Sequence, residues 1–122
     1  MKKVNFIFIS LIVLISCNPK ISVQINKSYP VLDYKKEVMV IGLKQKIPEG
    51  SEEIGFVKVE DTGFTMDCSY EIMVDKAKLE ARKIGGNAIK ITKHLKPSAK
   101  SSCHQIEAKI LYLENLNNVD KN

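Results

Sequence analysis

Residues 4–15 form an apolar run in which only Asn5 and Ser10 are polar, and the run closes on Leu14-Ile15-Ser16-Cys17. It is too short to cross a bilayer core of about 30 Å, which takes about 20 residues. Lys2 and Lys3 stand before it and the small Ser16 stands at its edge. Positive charge, a short apolar core and a small residue before a cut are the marks of an export signal. The first sixteen residues are therefore expected to leave the fold. What remains, about a hundred residues, suits one domain and excludes a two-domain enzyme with a deep cleft between its halves. At 44% hydrophobic and 27% charged, the chain is unlike disordered, collagenous or coiled-coil sequences.

Cys17 directly after Ser16 makes this segment resemble a bacterial lipoprotein signal. The resemblance implies a diacylglycerol on the Cys17 thiol, cleavage just before it, and acylation of the new amino group. Two or three acyl chains hold a protein at a membrane, whereas one binds only marginally. The mature chain is then expected to begin at Cys17 and to stay tethered in the cell envelope. By analogy with lipoprotein sorting, Asn18 rather than Asp favours the outer membrane, facing the periplasm.

Loss of Lys2 and Lys3 lowers the formal net charge from +5 to +3. The remaining charges are mixed. Lys44 and Lys46 precede Glu49, Glu52 and Glu53, Glu80 interrupts the 76–83 stretch, and Arg82 is the only arginine. That pattern is a solvated face and not a nucleic-acid footprint.

Along the mature chain, residues 17–36 read as the lipidated cysteine and its tether. At full extension the tether would reach about 60 Å. Ile21, Val23 and Ile25 alternate with polar neighbours, which allows a short edge strand there. The folded domain is placed at residues 37–115. Residues 38–43 and 54–59 read as strands, with a loop holding Pro48 and Gly50 between them. Met73, Ala77, Ala81 and Ile84 build one apolar stripe, so a helix is expected over 69–84, capped by Ser69 or Asp67. Gly85-Gly86 stops it. Strands follow over 88–95 and 104–114, and residues 116–122 form a polar, frayed tail. The expectation is an α+β fold of order ββαββ, one helix on a mostly antiparallel sheet.

With Cys17 acylated, Cys68 and Cys103 remain. An exported compartment permits a disulfide. Cys68 precedes the helix and Cys103 the last strand, so both can lie at one end of the domain. The rival is a metal or small-ligand site using Cys68, His94, Cys103 and His104, which carry the atoms of a Cys2His2 zinc site. Its spacing is poor, because Cys103 and His104 are adjacent and neighbours on a strand point to opposite faces. A reactive redox pair is the third reading, against which stands the lack of a Cys-x-x-Cys motif. Each histidine alone reads as an ordinary surface or loop side chain.

Asp61-Thr62-Gly63 matches the triplet of aspartic proteases, but Phe64 follows it and the strongest element is a helix, so it reads as a turn. Gly85-Gly86-Asn87 ends a helix, whereas phosphate loops precede one. No nucleophile–base set is visible, and no cofactor is implied.

The stretch from Cys68 through Lys83-Ile84-Gly85-Gly86-Asn87-Ala88-Ile89 to Ser102-Cys103-His104-Gln105 resembles the lipoprotein sensor of the Rcs envelope-stress phosphorelay. It is also similar to a wider set of small lipoproteins with the same helix, Gly-Asn-Ala turn and strand. The likeness covers residues 61–115. It implies a Cys68–Cys103 bridge, a small α+β periplasmic domain on the outer membrane, and signalling by contact with other envelope proteins without catalysis. The sensor has a second disulfide and a long proline-rich tether. This chain has no further cysteine and only Pro19 and Pro30 before the domain.

Overall fold

The apolar stripe of the central helix dictates where everything else packs. In the computed structural model, which describes residues 20–60, 68–99 and 102–114, the helix α1 spans Tyr70–Lys83. Ser69 caps it, its hydroxyl accepting the Ile72 amide at 3.4 Å. Met73, Val74, Ala77 and Ala81 are its buried residues, as the four-residue recurrence requires. Glu71 in the first turn and Arg82 and Lys83 in the last suit the helix dipole.

The stripe lies on a five-stranded sheet. Its strands are β1 (Lys20–Ile25), β2 (Met39–Ile41), β3 (Ser51–Glu60), β4 (Ala88–Leu95) and β5 (Gln105–Leu113). Their spatial order is β1-β3-β5-β4-β2. The β1/β3, β3/β5 and β5/β4 pairs are antiparallel, and β2 runs parallel to β4. The fold is α+β with one helix on a mixed sheet. The expected ββαββ series is present in β2, β3, α1, β4 and β5, and β1 precedes it.

Residues 20–36, read from the sequence as tether, are thus part of the domain. Six residues of β1 pair with β3, from Lys20 opposite Glu60 to Ile25 opposite Gly55. The chain then crosses the end of α1. The Tyr29 amide donates to the Ile84 carbonyl at 2.8 Å and the Leu32 amide to the Arg82 carbonyl at 3.0 Å. The first satisfies a carbonyl at the helix end, and the second joins the Gly85 amide on the Arg82 carbonyl. Arg82 Nη1 donates back to the Asp33 carbonyl at 2.9 Å. Tyr29 stacks on Tyr112 with ring centres 4.0 Å apart, and its hydroxyl donates to the Glu52 carboxylate.

Two bulges break the simple alternation of inward and outward side chains. One lies between Glu53 and Gly55 of β3, the other between Ile91 and Lys93 of β4. Alternation sets Ile54 opposite to Val57 and Val59, yet the bulge lets all three join the core beneath α1. A second, smaller cluster of Ile41, Ala88, Leu111 and Leu113 is buried apart from that core. Beside it Lys90 Nζ donates to the carbonyls of Gly42, Leu43 and Gln45. The three ammonium donors thereby pin the loop that follows β2.

The Gly85-Gly86-Asn87 stop has a structural reason at each position. Gly85 has φ +79°, and a Cβ there would meet the Pro30 carbonyl at 2.6 Å. A Cβ on Gly86 would come within 2.5 Å of Ile110 Cγ2. Asn87 is 3% exposed. Its Nδ2 donates to the Leu113 carbonyl at 2.7 Å and its Oδ1 accepts the Leu113 amide at 2.8 Å. The side chain therefore acts as a short piece of strand on the end of β5. Asn87→Ala should lower unfolding free energy by about 2–3 kcal/mol, because it strands two buried backbone groups. Urea denaturation with an unchanged m value checks this.

Candidate functional site at the disulfide corner

The start of α1, the end of β4 and the approach to β5 meet at one corner of the domain, and all four predicted site residues outside the N-terminus lie there. Cys68 stands just before the Ser69 cap and Cys103 just before β5. They form a disulfide, with Cα atoms 5.0 Å apart. Cys103 is buried and Cys68 half-buried. The His104 amide donates to the Cys68 carbonyl at 3.2 Å, which ties the two approaches together beside the bridge.

The sequence reads His94 and His104 either as separate, ordinary side chains or as two of four ligands with Cys68 and Cys103. The structure makes them a pair. Nε2 of His94 lies 2.8 Å from Nδ1 of His104, a hydrogen bond whose donor is set by the tautomers. The rings are 5.1 Å apart at their centres. Tyr70, the first residue of α1, lies against both, 4.4 Å from His94 and 6.2 Å from His104. The β4 bulge creates this arrangement. Beyond it His94 is opposite Ile106, a core residue beneath α1. Strict alternation from Ile89 and Ile91 would have placed Lys93 there instead. No sequence signal marks that bulge, and Tyr70 gave none as a third ring.

Burial disfavours charge on His94 and lowers its pKa from the usual value, with the nearby His104 and then Lys96 acting in the same direction. A neutral His94 can donate or accept in the hydrogen bond, whereas an imidazole with both nitrogens protonated has no acceptor.

This chemistry bears on the metal reading. Sulfurs joined in a disulfide are not thiolate ligands. The four-residue donor set is thereby reduced to two imidazoles already bonded to each other. Among the described residues, no group of three or more His, Cys, Asp or Glu side chains is placed to hold a metal ion. A nearby hollow is lined by Lys58, Glu60, Lys93, Leu95, Gln105 and Glu107, among others, and encloses about 50 Å³. Drug-sized ligands occupy about 300–1,000 Å³, so this hollow is too small for one.

Cys17, the expected export signal over residues 1–16, Asp61-Thr62-Gly63, Asp67 and the expected 116–122 tail lie outside the described residues. No described helix is long and apolar enough to cross a membrane. Neither a protein-family model, nor a curated protein, nor a solved structure matches the chain.

The bridge spans a sequence separation of 35 residues, and closing such a loop stabilises by about 4 kcal/mol in the chain-entropy model. The double variant Cys68→Ala/Cys103→Ala should lose about that much, read as a drop of roughly 15–30 °C in Tm. Stability rises with pH wherever the unfolded chain binds more protons than the folded one. His94 is held below its unfolded value of about 6.5. Its contribution is therefore complete above about pH 6.5 and is lost as pH falls through the depressed folded value. His94→Phe keeps a ring against Tyr70 and removes the titration. Melting near pH 7 and near pH 5 should show a smaller acid-induced drop in the variant than in the parent.

Proposed function

We propose that this is a lipid-anchored protein of the bacterial cell envelope that works by contact with other envelope proteins, in sensing or maintenance, and without catalysis. The observation that carries the reading is Leu14-Ile15-Ser16-Cys17 at the close of the apolar run. The acyl chains on Cys17 would hold the domain at the outer membrane, facing the periplasm. The Cys68–Cys103 bridge supports an exported location, because disulfides persist in oxidising compartments and are rare in the cytosol. The likeness to the Rcs sensor supports action by contact, as does the lack of a nucleophile–base set in the sequence.

A small-ligand or metal-binding lipoprotein is the second reading, and the His94–His104 pair is the observation in its favour. Both cysteines in the bridge count against it.

Cys17→Ala tests the anchor. The variant should appear in the soluble periplasmic fraction, while the parent stays with membranes and gains the mass of its acyl chains. Membrane retention of the variant would overturn the anchor reading.

A further inference from the structure

Acylation of Cys17, on which this inference rests, has a geometric consequence once β1 is in place. Lys20 is the first residue of β1. Three Cα–Cα steps of 3.8 Å separate Cys17 from Lys20, so the covalent chain spans at most about 11 Å. A tether of about 60 Å would leave the domain free to face in any direction. A link of three residues does not.

The sheet register identifies which end of the domain that link holds. Lys20 is opposite Glu60 at the end of β3. Val59 is opposite Ile106 near the start of β5, and Gln105 is opposite Leu95 at the end of β4. The start of α1 shares this end, because Cys68 is bridged to Cys103 and Tyr70 lies on His94. Asn87, Leu113 and Ser51 mark the other end. A ten-residue strand such as β3 puts them about 30 Å away.

The near end is suited to an anionic surface. Lys20, Lys93 and Lys96 are exposed there, and Leu95 is an exposed large apolar residue at 46%. Among the described residues at this end of the sheet, the carboxylates are Glu60, opposite Lys20, and Glu107, opposite Lys93, and Lys58 engages both, at 2.6 and 3.6 Å. Basic side chains near anionic headgroups are attracted within roughly a Debye length, about 8 Å at physiological salt. The short link keeps the end of β1 within about 11 Å of the acylated residue.

We propose that this end of the sheet docks on the anionic lipid surface of the leaflet that carries the Cys17 acyl chains, through Lys20, Lys93, Lys96 and Leu95. The domain stands with its strands rising from the membrane and its disulfide corner at the lipid. The opposite end, with the Asn87 clamp and the strap of residues 26–33, points away and is left to meet partners.

The natively processed lipoprotein, labelled with nitrogen-15, tests this in nanodiscs of phosphatidylethanolamine and phosphatidylglycerol doped with a gadolinium-chelating lipid. Amides of Lys93, Lys96 and Gln105 should broaden several-fold more than those of Gly50, Ile84 and Leu113. The triple variant Lys20→Gln/Lys93→Gln/Lys96→Gln, checked for an unchanged Tm, should lose at least half of that contrast. So should the parent in phosphatidylcholine nanodiscs. Equal broadening at both ends overturns the docking, as does a contrast indifferent to the substitutions and to lipid charge. Intact mass taken before reconstitution separates the two ideas. Protein without acyl chains overturns the anchor reading and the docking with it, whereas acylated protein with equal broadening overturns the docking alone.

Discussion

The junction at Gly85-Gly86-Asn87 is where the helix, the sheet and the N-terminal segment are joined, and the domain depends on it. Gly86 has no Cβ to collide with Ile110, so α1 can end directly against β5. Asn87 then completes the end of β5 with two side-chain hydrogen bonds to Leu113. Its own carbonyl accepts the amide of Met39, the first residue of β2. One buried amide side chain and its backbone thereby link both the central strand and the parallel edge strand to the helix terminus. The strap through Tyr29 and Leu32 takes up the helix carbonyls on the other side. Gly85-Gly86-Asn87, which has the residues of a ligand loop, is a structural joint.

The disulfide corner is the second joint, at the opposite end of the helix. It fastens the start of α1 to the start of β5. Between the two joints the helix has little freedom to move on the sheet, which matters in a domain with a small core. The histidine pair belongs to this second joint. Burial of His94 disfavours its charged form, so the same corner joins mechanical constraint to proton sensitivity.

Much of the architecture was legible from residue patterns. The apolar stripe of Met73, Ala77 and Ala81 marked the helix, Ser69 marked its start, and two glycines marked its end. The strands at 88–95 and around 105–113 were visible from alternation. The edge strand at 20–25 was legible only as an allowance, because three alternating apolar residues do not say whether a neighbour exists to pair with. The candidate site was half legible. Cys68 and Cys103 stood out by chemistry and position. The pairing of His94 with His104 did not, because it depends on one extra residue in β4 that reverses which face His94 occupies.

The sequence by itself determined the helix and its limits, the alternating stretches that become strands, and Cys68 and Cys103 as the two cysteines placed to pair. These are local properties: spacing, capping and the type of side chain at a given position. The tertiary structure alone decided that β2 runs parallel to β4, that residues 20–36 belong to the domain, that Asn87 serves β5, and that Tyr70, His94 and His104 form one cluster. Each depends on register between segments far apart in the chain. A single bulge resets that register without leaving a mark in local composition.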